Sequence, residues 1–169
     1  LRNWLVVFVS NFAGAIGLAY LVFKSGHCEM NDGAIKDEYI KIAAAKCALP
    51  FWQAFFRAVL CNLLVCLAIW MAIAGRSVFD KVVAIVFPIS AFVAAGFEHC
   101  VANMYFIPMG MFLMSVDPSA ASLHAEINGA GLVRNMIPVI LGNLTGGSVL
   151  VGLVYYLIYL RKSPESQEG

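Results

Sequence analysis

Residues 82–116 hold one carboxylate and one imidazole, side by side at Glu98-His99, and no other Asp, Glu, Lys, Arg or His. The run covers 35 residues. As one straight helix it would measure about 52 Å, against about 30 Å of bilayer hydrocarbon. It is therefore expected to cross as two helical pieces joined by an irregular segment at 98–103. Non-helical backbone at membrane depth is tolerated only inside protein or beside a water-filled cavity. Ionisable groups placed there mark a functional site.

The membrane itself follows from composition. The chain is 62% hydrophobic and 12% charged, with mean hydropathy +0.84, whereas soluble domains carry about 25% charge. A formal net charge of +1 excludes a nucleic-acid binder driven by bulk electrostatics. The cysteines, Cys28, Cys47, Cys61, Cys66 and Cys100, include no CxxC pair. They read as small buried hydrophobes. No HExxH, paired-histidine helix or P-loop is present, which speaks against a metalloenzyme or an ATP-driven pump. No cofactor is expected.

Four membrane elements follow in order, as one transmembrane domain over 1–162: spans at about 4–23, 42–73, 78–114 (broken near 97–103) and 132–160. Residues 4–23 are too long for a signal peptide and lack its flanks. They read as a working span of a longer protein whose beginning is missing. The second span, too long for the bilayer, is expected to project from it as one helix that Pro50 bends. It carries Lys46 and, deep in an apolar run, Arg57, a snorkelling or subunit-contact arginine. Asn135 to Leu160 contains no charged residue, and 163–169 is expected to be a polar cytoplasmic tail. With that tail inside, Arg2, Arg76, Lys81, Arg161 and Lys162 face Lys24, Lys36, Lys41 and Arg134 across the membrane. Positive charge does not decide the orientation.

The word Asn3-x7-Asn11-x2-Gly14 recurs as Asn135-x7-Asn143-x2-Gly146, each before an apolar run. With two further spans between them, the two copies run in opposite directions. That is the pattern of an inverted-topology repeat, in which the first span here is the third of three.

Three stretches carry a family resemblance: Cys61-Asn62-Leu63-Leu64-Val65-Cys66-Leu67-Ala68-Ile69-Trp70-Met71, Gly96-Phe97-Glu98-His99-Cys100-Val101-Ala102-Asn103-Met104 and Ile137-Pro138-Val139-Ile140-Leu141-Gly142-Asn143. They resemble the formate/nitrite transporter family from its third span to its C-terminus. Gly75-Arg76-Ser77 and Ile107-Pro108-Met109-Gly110 look most like its formate-channel branch. The resemblance implies an all-α, aquaporin-like bundle with an inverted repeat and broken helices, here four of six spans. It also implies a homopentamer in a bacterial inner membrane, each subunit with its own pore. The implied solutes are formate and related small monovalent anions: nitrite, hydrosulfide, acetate, lactate. The partners are the lipid bilayer and further copies of the chain, not nucleic acid. A non-transporting membrane scaffold is the competing class.

Moving a bare anion through apolar surroundings costs many kcal/mol, so neutralising it is the cheaper route. His99 is the expected central group, because an imidazole titrates near neutrality and donates a hydrogen bond in either charge state. The resemblance makes Lys46, sixteen residues before Asn62, a mouth lysine. It likewise makes Asn143 a pore-lining asparagine and Phe92 an aromatic constriction. Glu98 is expected to pin the broken loop by accepting backbone N–H groups. Asn103 is expected to cap the second half-helix, whose dipole favours anions. Asn11, the repeat partner of Asn143, is expected to support its helix turn.

Overall fold

The computed structural model describes residues 2–160; Arg161-Lys162 and the tail at 163–169 lie outside them. The chain enters as α1 (Arg2–Lys24) and turns through two short 3₁₀ segments, His27–Glu29 and Asn31–Gly33. It continues as α2 (Ala34–Ala48), α3 (Phe51–Ala74), α4 (Val78–Ala94), α5 (Cys100–Val116) and α6 (Pro118–Leu123). The last helix, α7 (Gly129–Leu144), runs on without interruption into π-helical turns over Thr145–Leu153 and Tyr156–Leu160. Arg2–Lys24, Phe51–Ala74 and Gly129–Tyr159 are long and apolar enough to cross a membrane. The α3 helix packs on α4 and α7, and α5 packs on α1 and α2.

The span expected over 42–73 is two helices, not one. Pro50 has no N–H, and the residue before a proline is driven out of the α region. Leu49 accordingly has ψ 130°, and α3 starts afresh at Phe51. In an unbroken helix Lys46 C=O would accept from residue 50; here the Asn135 side-chain amide donates to it at 2.9 Å.

The expected break at 98–103 lies slightly earlier in the chain. Helix α4 ends in a Schellman turn: Gly96 N–H donates to Val93 C=O and Phe97 N–H to Phe92 C=O, at 3.1 and 3.0 Å. Gly96 sits at φ 65°, where a Cβ is disfavoured. Helix α5 is already running at Cys100, so residues 100–103 are helical. Asn103 is therefore inside the helix rather than at its cap. His99 is the cap, its Nδ1 accepting from Ala102 N–H at 3.3 Å.

Small residues set the closest approach of α3 and α7. A Cβ on Gly142 would collide with Phe55 C=O and lie 2.7 Å from Ala58 Cβ, and one on Gly146 would lie 2.5 Å from Val59 C=O. The close packing relies on backbones meeting, as small residues permit in membranes. Outside the spans, Asp117 caps α6 through Ala120 N–H at 3.1 Å and pairs with Lys36 of α2 at 2.8 Å. The hydrogen bond from Lys36 holds the Asp117 carboxyl well below the usual carboxylate range, and the same bond raises Lys36. The tie is thus complete above the ordinary carboxylate pKa of about 4 and below the ordinary lysine pKa of about 10. It is lost as acid protonates Asp117 or as base deprotonates Lys36.

Gly142→Val is expected to lower stability by about 1–3 kcal/mol, the usual result of overpacking. Gly129→Ala, with open space at its Cβ, is expected to stay within about 0.5 kcal/mol of wild type. Thermal unfolding in detergent compares the two. Asp117→Ala is expected to speed limited proteolysis between 117 and 128 at neutral pH; unchanged cleavage would show that the tie does not hold this loop.

Candidate functional site

The interruption between α4 and α5 exposes backbone groups that no helix satisfies, and side chains of α2 and α7 gather around it. Lys46, in the last turn of α2, donates to Glu98 Oε1 at 2.9 Å; their side chains are 15% and 4% exposed. Glu98 Oε2 accepts from Asn103 Nδ2 at 2.6 Å and from Asn135 Nδ2 at 3.4 Å. Asn103 Nδ2 also donates to Asn135 Oδ1 at 2.7 Å. Two charges removed from water are thus paired and supplied with further hydrogen bonds, the condition under which such a pair is tolerated. Glu98 accepts from side chains, not from the backbone N–H groups expected of it.

A second asparagine of α7 holds the backbone of the break. Asn143 Oδ1 accepts from Cys100 N–H at 2.9 Å; its Nδ2 donates to Glu98 C=O at 3.0 Å and to Ala58 C=O at 2.8 Å. Both of its N–H bonds are engaged with protein in this arrangement, so here Asn143 pins the interruption. Asn62 of α3 in turn donates to Asn143 C=O.

His99 is half-buried at the start of α5, and its ring stacks on Phe92 with centroids 5.9 Å apart and planes 16° from parallel. Because Nδ1 accepts from Ala102 N–H, that nitrogen is unprotonated in this geometry, and Nε2 carries the exchangeable proton. Phe106 follows His99 by seven residues, two turns along the same face of α5. The Lys46 ammonium sits 6.0 Å from the Phe106 ring centroid. An aromatic wall, an imidazole and a half-neutralised ammonium therefore occupy one neighbourhood.

The structure brings His99, Lys46, Phe92, Glu98, Asn103 and Asn143 together. Asn11 is not with them: it is exposed on α1 and donates to Val7 C=O of its own helix at 2.9 Å. Sequence reasoning placed Asn135 in the repeat but assigned it no role, although it bridges both interruptions. Asn62 enters the sequence reading only as part of a family word. Its signal was an amide inside an apolar helix, where an unpaired polar group is costly. Asn103 Oδ1 is buried and has no partner among the described residues. No cluster of His, Cys, Asp and Glu suited to a metal occurs among the described residues.

Glu98→Leu would leave the Lys46 ammonium buried without its counter-charge. It is expected to lower stability by about 3–5 kcal/mol, while the double change Lys46→Met with Glu98→Leu recovers most of the loss. Unfolding midpoints of wild type, Glu98→Leu, Lys46→Met and the double variant test this; a double loss equal to the sum of the two single losses would mean the pair is not coupled.

Comparison with known proteins bears on what this arrangement belongs to. The family model described as "Formate/nitrite transporter" matches residues 1–157. The formate channels FocA of Haemophilus influenzae Rd and Escherichia coli K12 are each 37% identical over 96% of this chain and 60% of their own length. A probable formate transporter of Methanothermobacter thermautotrophicus is 41% identical over the same shares. The chain thus spans about 60% of the curated relatives it matches. A solved pentameric formate channel with formate bound superposes with TM-score 0.85 at 37% identity, covering 95% of this chain and 66% of that one. A family model over nearly the whole chain, together with the shared fold, places this protein in the formate/nitrite transporter family.

Proposed function

We propose that the full-length protein passes formate and similar small monovalent anions across a bacterial inner membrane, as a homopentamer with one route per subunit. The observation that carries this reading is His99, set at the interruption with Phe92 against its ring and the Lys46–Glu98 pair beside it. The similarity to formate channels, and to a pentamer solved with formate, supports the choice of solute and assembly.

A carboxylate reaching His99 exchanges water for apolar walls, which raises the free energy of its charged form. A proton delivered from Nε2 cancels the charge where hydration is lost. Lys46 gives one N–H to Glu98, and its other two donors are available to orient the anion before transfer. Phe92 narrows the route beyond. Nitrite and hydrosulfide, also monovalent conjugate bases of weak acids, satisfy the same chemistry, and acetate and lactate differ from formate in bulk.

Proteoliposomes carrying the full-length protein test this by uptake of formate, nitrite and hydrosulfide against pH. Wild-type formate flux is expected to rise with acidity. His99→Phe is expected to lose that dependence, with flux down by about a hundredfold, the low end of what a positioned proton donor contributes. Equal flux from wild type and variant would make His99 structural and defeat the proposal; a preference for nitrite or hydrosulfide would keep the mechanism and change the solute.

A further inference from the structure

Between α2 and α5, on the loop side of Lys46, lies a cavity of about 440 Å³ lined by His27, Glu38, Tyr39, Ile42 and Phe106, among others. Its wall is joined to the site already described. Phe106 shares the His99 face of α5 and receives the Lys46 ammonium against its ring. The Tyr39 ring lies 6.1 Å from the Phe106 ring, and its hydroxyl is hydrogen-bonded to that of Tyr105 at 3.0 Å. The cavity and the Lys46 ammonium thus share one wall residue, Phe106. None of the roles assigned so far uses His27, the titratable ring at its rim.

We propose that His27 is an anion-capture residue at the mouth of the route to His99, concentrating small carboxylates in the cavity when its imidazole is protonated. This rests on the transport reading above.

The backbone at His27 is held in a turn: Gly26 turns the chain at φ 75°, His27 N–H donates to Ser25 Oγ at 3.3 Å, and His27 C=O accepts from Met30 N–H at 3.3 Å. Charges of both signs surround it. From α1 comes Lys24, held over the Tyr20 and Phe23 rings. The following turns bring Glu29 and Asp32. From α2 come Asp37, Lys36 tied to Asp117, and Glu38 bonded to Lys41 at 3.2 Å. The α5 wall presents Tyr105 and Phe106. Counting Asp117 with the residues of 24–41, five carboxylates oppose three lysines, so a neutral His27 leaves the mouth with a negative excess that repels anions. One imidazolium lowers that excess, and histidine as a residue type changes charge between about pH 5 and 8. One unit charge acting through water over about 10 Å changes local anion concentration about twofold. The capture would strengthen in acid, where proton delivery by His99 is also favoured.

The test is initial formate uptake by full-length protein in proteoliposomes as a function of concentration, near pH 5.5 and near pH 7.5, the two sides of imidazole titration. His27→Gln is expected to raise the half-saturating concentration about twofold at the acidic pH only, with maximal rate unchanged. His27→Lys is expected to keep the low, acid-like value at both pH values. Both differences are expected to vanish near 1 M inert salt, where charges are screened beyond about 3 Å. A Gln variant that tracks wild type at acidic pH, or an effect that survives high salt, would overturn the role of His27 while leaving the transport reading intact. Wild-type uptake no faster than in protein-free liposomes would overturn both.

Discussion

An interrupted helix inside a membrane must have its stray N–H and C=O groups satisfied by protein, because lipid offers no partners. The rest of this structure depends on that requirement. Two interruptions lie together, one at Leu49–Pro50 and one at Ala95–His99, and α7 serves both with side-chain amides. Asn135 covers the carbonyl that Pro50 abandons and braces Glu98. Asn143 ties the carbonyl of Glu98 and the amide of Cys100 to α3. Eight residues separate the two asparagines, a little over two turns, so they project from neighbouring parts of one helix surface. The same surface contains Gly142 and Gly146, which bring α7 near enough to α3 for such short side chains to reach.

Charge placement follows from that scaffold. Glu98 neighbours His99 in sequence, yet its carboxylate is turned to Lys46 and two asparagines. The imidazole is left to cap α5 with its Nδ1.

Much of this was legible in the sequence because it rested on lengths and on rare residue types in apolar surroundings. The run at 82–116 is too long to cross as one helix, and the structure breaks it. Glu98 and His99 stand out as costly groups at depth, Lys46 only through the family resemblance, and the Lys46 and Glu98 side chains meet beside His99. What escaped was local and geometric. A proline four residues after Lys46 signalled a bend, but whether a helix bends or stops there depends on whether another side chain can take the freed carbonyl, and that partner lies 89 residues away. The exact edge of the second interruption was set by a Schellman turn at Gly96, which gave the capping position to His99 instead of Asn103. Asn11 and Asn143 share a repeat word, but the word does not encode which face of each helix meets a neighbour.

The π-helical turns after Leu144 separate two registers within one continuous helix. Upstream, Asn135 and Asn143 are locked to the interruptions; downstream, the Tyr155 ring meets Trp70 of α3. A π turn holds one more residue than an α turn, and such bulges often lie at functional sites. Loss of one residue between 145 and 153 can be absorbed by tightening a π turn to α geometry, which keeps the helix beyond it in register while the asparagines stay where they are. The π turns beyond Leu144 thus act as a length buffer between the asparagines and the contact of Tyr155 with Trp70.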